Sequence, residues 1–151
     1  MAVRRVISGG QTGVDRGALD AAIALGIDHG GWCPPGRRAE DGRIPARYRL
    51  TENSEPGYSA RTERNVVDSD ATLILVAGPL RGGTRLTRYF AEQYGRPLLI
   101  VAMDDDPDVG KIRQWIVQQR VGVLNVAGPR ESQAPGIQAK TKALLSRLLG
   151  D

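Results

Sequence analysis

Cysteine, histidine, lysine and aromatic residues are all scarce in this chain. The one cysteine, Cys33, excludes an intramolecular disulfide. The one histidine, His29, excludes a His-based metal cage and a Ser–His–Asp triad with a histidine to spare. His29 and Cys33 stand four apart, but two ligands are too few for a zinc site. Aromatics are only 5% of the residues, so the core must be built from Val, Ile, Leu and Ala. No apolar run is long enough to span a bilayer, and Met1-Ala2-Val3-Arg4-Arg5 leads straight into a short strand-like segment. The expected partner is therefore not a membrane, and the expected location is the cytoplasm. Lysine is confined to Lys111, Lys140 and Lys142, so nearly all the positive charge behind the net +4 is arginine. Arginine offers a planar fork suited to phosphate or carboxylate. There is no basic tail, acids alternate with bases (Arg61, Glu63, Arg64, Asp68), and no nucleic-acid-binding motif is found, so no nucleic-acid partner is expected.

What is present is a regular alternation of strand and helix patterns. A length of 151 residues suits one domain, residues 1–151, that buries roughly 70% of its unfolded surface. Val3–Ile7 reads as a buried parallel strand. Asp15 precedes Ala18, Leu19, Ala22, Ile23 and Leu25 at helical spacing, with Gly26 as the stop and Asp15 as the expected cap. Ile27–Cys33 reads as a second strand. From Pro34 to about Pro56 the chain is irregular and rich in Pro, Gly, Arg and acids, which in a compact domain points to a functional loop. A polar helix is expected over Ser59–Asp68, a strand over Ala71–Ala77, and a helix over Thr84–Tyr94. There follow a strand over Pro97–Ala102, a helix opened by Asp104–Pro107 and ending near Arg120, a strand over Val121–Val126, and a last helix over Pro135–Leu149. The acids Asp104–Asp106 are read as complementing a helix dipole rather than as a metal site. The alternation predicts a Rossmann-like, three-layer α/β domain with a mostly parallel sheet.

Three glycine-rich loops follow strands: Ser8–Gly13, Gly78–Thr84 and Gly128–Ser132. Strand ends in a parallel sheet lie on one edge, so these loops should converge. Gly9-Gly10-Gln11-Thr12-Gly13 is neither the dinucleotide fingerprint, since its spacing is GGxxG, nor a Walker A loop, since the Gly-Lys-Ser/Thr ending is missing. It still runs into a helix, where free N–H groups can meet an anion. Gly82-Gly83-Thr84 is placed likewise, with the Thr84 hydroxyl and backbone N–H as further donors and Arg81 and Arg85 beside it. The stretch Gly31–Gly42 adds Trp32, Arg37, Arg38, Glu40 and Asp41. Arg61 and Asn65 are one helical turn apart and share a face.

These segments resemble a known family. Ser8-Gly9-Gly10-Gln11-Thr12-Gly13-Val14-Asp15-Arg16, Gly31-Trp32-Cys33-Pro34, Gly36–Gly42, Arg61-Thr62-Glu63-x-Asn65, Asp68-Ser69-Asp70, Gly82-Gly83-Thr84 and Leu124–Ser132 look like the molybdenum cofactor carrier proteins. Those proteins form a circularly permuted branch of the SLOG superfamily of Rossmann-like nucleotide-binding proteins. The resemblance implies a carrier for the molybdenum cofactor, a pterin dithiolene with a terminal phosphate. The cargo would be held by Gly9, Gly10, Gln11, Thr12, Gly13, Asp15, Trp32, Arg38, Asp41, Arg61, Asn65, Gly82, Gly83, Thr84, Arg130, Glu131 and Ser132. It implies no catalytic residue and no metal ligand from the protein. It also implies a homotetramer or homodimer, with molybdoenzymes or an insertase as recipients. The alternatives are a nucleotide-processing hydrolase, with Asp15, Glu40, Asp41 or Glu63 as its acids, and a nucleotide-sensing module. Hydrolases of the superfamily carry an acid after the second loop, where this chain has Arg85, Leu86 and Thr87.

Overall fold

The computed structural model describes residues 3–55, 57–104 and 106–150. Its elements are β1 (Arg5–Ile7), α1 (Val14–Leu25), β2 (Asp28–Gly30), β3 (Trp32–Cys33), β4 (Arg38–Ala39), β5 (Gly42–Arg43), β6 (Thr51–Glu52), α2 (Tyr58–Val67), β7 (Ala71–Val76), α3 (Gly82–Gln93), β8 (Leu98–Ala102), α4 (Val109–Gln118), β9 (Val123–Ala127) and α5 (Ile137–Leu149). The central sheet has the order β2-β1-β9-β7-β8, and every pairing in it is parallel.

Period-two alternation sorts the strands' side chains between two faces. Leu73 and Leu75 of β7 and Leu124 and Val126 of β9 join a core with α1, α4 and α5, where Ala18, Ala22, Ile112, Ile116, Leu145 and Leu148 pack. α2 and α3 pack on each other, with α3 against β7 and β8, and cover the opposite face. Chain moves across the sheet in one direction (β1 to β2, β8 to β9) use the first face. Moves in the other direction (β2 to β7, β7 to β8) use the second, as uniformly right-handed crossovers require. The reversal opens a crevice at the carboxyl ends of β1, β9 and β7.

The expected strand over Ile27–Cys33 is two strands. β2 belongs to the central sheet, whereas β3 pairs in parallel with β6 in a separate small sheet. Gly31 makes the break: its φ is 125°, and a Cβ there would overlap the Ser8 backbone. The irregular stretch is also more ordered than its composition suggests. β4 and β5 form an antiparallel hairpin, and buried Arg37 donates to the carbonyls of Ile44, Pro45 and Tyr48. The fourth helix is capped by Asp108, whose carboxylate accepts from Lys111 N–H at 3.1 Å, not by the acids upstream. Of those, Asp105 lies outside the described residues, as does Pro56 at the expected edge of the irregular stretch.

Cys33 fills a small apolar cluster with Leu19, Ile44 and Tyr48 and has no solvent exposure. Burial raises its thiol above the ordinary range, which keeps the less reactive form. Cys33→Ser is expected to lower stability by about 1–2 kcal/mol through the buried hydroxyl while leaving ligand affinity within a few-fold. Urea denaturation and ligand titration of the variant check both halves. Loss of affinity in a stable variant would place the sulfur in the binding site.

Candidate functional site

The crevice is a cleft of about 280 Å³ on the α2/α3 side of the sheet edge. β9 supplies its floor: Asn125 is buried, and its amide donates to the Thr72 hydroxyl at 3.2 Å. One wall is a stripe of α2, Tyr58, Arg61, Thr62 and Asn65, at the 3–4 residue spacing of one helix face. Another wall is the start of α3, with Gly82, Gly83, Thr84, Leu86 and Thr87. Gly9 and Gln11 of the loop after β1, Asp15 of α1, and Gly128, Arg130 and Gln133 of the loop after β9 also line it.

The start of α3 has the donors an anion needs. Thr84 N–H donates to Arg81 O at 2.9 Å and Arg85 N–H to the same carbonyl at 3.3 Å, so these two are already satisfied. Among the described residues, the Gly82 and Gly83 N–H groups have no acceptor. Neither glycine's missing Cβ would meet any atom within 4 Å, and both glycines are exposed in the cleft lining. The expectation that Thr84 offers its backbone N–H is thus corrected to the two glycines before it.

α1 differs. The loop after β9 lies over its start: Val14 N–H donates to Pro129 O at 3.1 Å, and a Cβ on Gly13 would stand 2.7 Å from Glu131 N. An anion expected after Gly13 therefore finds backbone in its place. Nor does Asp15 cap α1. It turns toward the loop, where its carboxylate accepts from Gln11 N–H at 3.2 Å.

Asp15 and Arg61 face each other at the inner end of the cleft. Their side chains are 9% and 11% exposed, yet their nearest atoms are 3.9 Å apart, beyond hydrogen-bonding distance. Burial pushes the Asp15 carboxyl up to about 6, against the opposing pull of the Arg61 guanidinium. Burial likewise draws Arg61 below the usual guanidinium range, with Asp15 opposing. The Arg61 guanidinium makes no hydrogen bond within the described residues, and its Nε is fully buried without a partner. One ring contacts it, that of Tyr58, at 5.2 Å. Gly9 makes room for it, because a Cβ there would overlap Arg61 Nη1.

Of the residues expected to touch a ligand, the cleft gathers Gly9, Gln11, Asp15, Arg61, Asn65, Gly82, Gly83, Thr84 and Arg130. The others lie outside its lining and brace the loops. Gly10 packs against Leu50 with a φ of 75°. Glu40 joins two loops: it accepts from the Thr12 hydroxyl and, at 2.5 Å, from the Ser132 hydroxyl, and pairs with Arg130 at 3.4 Å. Those bonds, the Ser132 hydroxyl foremost, hold the Glu40 carboxyl below its ordinary range. Asp41 makes a bidentate pair with Arg16 at 2.6 and 2.8 Å. Arg38 contributes its carbonyl, which accepts from the Gln11 amide at 2.9 Å. Trp32 donates to Asp68 at 2.7 Å under the Arg64 guanidinium, and its backbone is clamped by Asn65. Glu131 accepts from Gly136 and Gln138 N–H at the start of α5.

Several lining residues lay outside the expected set: Tyr58, Thr62, Thr87, Asn125 and Gln133 among them. Spacing from Arg61 and Asn65 could have found Tyr58 and Thr62. Asn125 carried its own signal, a polar residue inside an otherwise apolar strand. Among the described residues, no group of three His, Cys, Asp or Glu side chains is placed to hold a metal ion. No helix among them is long and apolar enough to cross a membrane.

The family model described as circularly permuted YpsA SLOG matches residues 6–149. Among solved structures, a protein from Syntrophus aciditrophicus SB named "putative molybdenum carrier protein" superposes with a TM-score of 0.92. It is 47% identical, over 99% of this chain and 96% of the other. No curated protein matches.

Proposed function

Because the chain belongs to the circularly permuted YpsA SLOG family, we propose that it is a carrier that binds the molybdenum cofactor in this cleft. The observation that carries the reading is the pair of unused donor sets in one cavity: the Gly82 and Gly83 N–H groups and the buried Arg61 guanidinium without a hydrogen bond. A buried donor without an acceptor, as Arg61 Nε is, is rare in folded proteins, while Gly82 and Gly83 offer exposed N–H groups at a helix start; a bound anionic ligand supplies acceptors to both sets. The terminal phosphate sits before Gly82 and Gly83 at the positive end of α3, with Arg81 and Arg130 nearby. The pterin lies toward Tyr58, Asn65, Asn125 and Arg61. A volume of about 280 Å³ is at the small end for such sites, which suits a single pterin phosphate with its metal end toward solvent. The solved relative is named a molybdenum carrier, which supports a molybdenum-bearing cargo. The carrier works in the cytoplasm as a homodimer or homotetramer and hands its cargo to a molybdoenzyme or an insertase.

The raised Asp15 carboxyl supports a second reading, a hydrolase of nucleoside monophosphates with Asp15 as general acid. The other three candidate acids are committed elsewhere: Glu40 to Thr12 and Ser132, Asp41 to Arg16, and Glu63 to the Tyr94 hydroxyl. Cationic and N–H-lined walls stabilise an anion equally before and after bond cleavage, which does not accelerate a reaction. The carrier is expected to retain the cofactor through anaerobic purification, seen by mass spectrometry, and to slow its decay in air. It is expected to release no free base from nucleoside monophosphates. Sustained base release that Asp15→Asn abolishes would establish the hydrolase instead.

A further inference from the structure

The phosphate reading leaves the inner end of the cleft unexplained. Asp15 and Arg61 are opposite charges, both buried, both lining the cavity, and yet 3.9 Å apart. A buried ion pair that serves stability alone closes into direct hydrogen bonds, because the desolvation of both charges is otherwise uncompensated. Nothing in the loop forbids approach by bulk: Gly9 clears the space beside Arg61 Nη1. The pair is held open from both sides. Gln11 N–H fixes the Asp15 carboxylate at 3.2 Å, and the Tyr58 ring lies against the guanidinium.

An open pair of this kind is a donor beside an acceptor. Its complement is a flat group with an N–H beside a C=O. We propose that Asp15 and Arg61 read the lactam edge of the ligand's ring, the adjacent N–H and C=O of a 2-amino-4-oxopyrimidine unit. This unit is common to pterins and guanine. Asp15 accepts from the ring N–H and the 2-amino group, and Arg61 donates to the ring oxygen, as carboxylates and arginines do on base edges. An adenine ring places its donors and acceptors the other way round and would set an amino group against Arg61.

The inference rests on the cleft being the ligand site, but it fails separately from the phosphate reading. Binding to the full chain is measured by calorimetry for guanosine, inosine and adenosine 5′-monophosphates, 6-hydroxymethylpterin phosphate, and ribose 5-phosphate. The free nucleosides guanosine and adenosine are included. Guanosine monophosphate and the pterin phosphate are expected to bind at least about tenfold more tightly than adenosine monophosphate, with inosine monophosphate between them. The stronger of the first two identifies which ring source the site prefers. In Asp15→Asn the ratio of guanosine monophosphate to ribose 5-phosphate affinity is expected to fall at least about tenfold.

Equal affinity for guanosine and adenosine monophosphates overturns the proposal, and needs no variant to fold. So does a guanine preference that Asp15→Asn leaves intact. If ribose 5-phosphate does not bind, the phosphate reading fails, and the guanosine-to-adenosine ratio still decides the lactam reading.

Discussion

Gly83→Val is expected to weaken binding of a phosphate ligand at least about a hundredfold while leaving the protein folded. The reasons for the two halves are separate. Gly83 lines the cleft, its N–H has no acceptor among the described residues, and its missing Cβ faces open space. An isopropyl group there occupies the volume in front of the helix start and holds an anion away from both free N–H groups. Each hydrogen bond to a charged group contributes about 1.5–3 kcal/mol, so two lost bonds exceed the factor stated. The fold is spared because Gly83 is in the first turn of α3 with no neighbour to collide with and no left-handed φ. Valine is the better helix former of the two by a few tenths of a kcal/mol. Calorimetric titration with ribose 5-phosphate or the cofactor, next to a thermal melt, checks both halves. Undiminished affinity in a folded variant would move the anion away from α3. Gly82 would be the poorer test, since its φ of 43° strains any side chain whatever the ligand does.

Much of the fold was legible because its signals are local. Ala71–Val76 is apolar but for Thr72, and α1 buries Ala18 and Ala22 in the main core, although Leu19 turns to the Cys33 cluster and Ile23 and Leu25 of the expected apolar set stay exposed. Alternation of strand and helix then forces a parallel sheet. The irregular stretch was opaque because its order is made by distant partners. Arg37 reaches carbonyls of Ile44, Pro45 and Tyr48, and Glu40 reaches Ser132 across most of the chain. No periodicity records such bonds.

The site was legible as loops but not as roles. Sequence places the three glycine loops at one sheet edge, and they do meet there. It does not reveal which of two helix starts stays open to a ligand. That is decided by the loop after β9, which packs on Gly13 and leaves Gly82 and Gly83 uncovered. Asp15 shows the same limit. An acid at the head of a helix reads as a cap, yet here it turns into the cleft, and only its burial pushes it up to about 6.

Within the three glycine-rich loops, Gly13→Ala is accordingly expected to be the most damaging alanine substitution, costing about 3 kcal/mol or more. Two effects add. Gly13 has φ 82° and ψ −131°, a conformation that glycine alone adopts readily. An added Cβ would also meet backbone on the far side, standing 2.7 Å from Arg130 C and from Glu131 N. Main chain cannot swing aside as a flexible side chain can, so the loop after β9 must move as a unit, and overpacking of this kind costs about 1–3 kcal/mol. Gly26→Ala separates the two effects. Gly26 has φ 71° in the left-handed region but nothing within 4 Å of its missing Cβ, so it carries the conformational penalty alone, about 1–2 kcal/mol. Urea denaturation of both variants gives the difference. A Gly13 variant no weaker than the Gly26 variant would show that the two loops are not locked together. A weaker one should also bind ligand less well at temperatures where it stays folded, because the displaced loop carries Arg130 and Gln133 into the cleft wall.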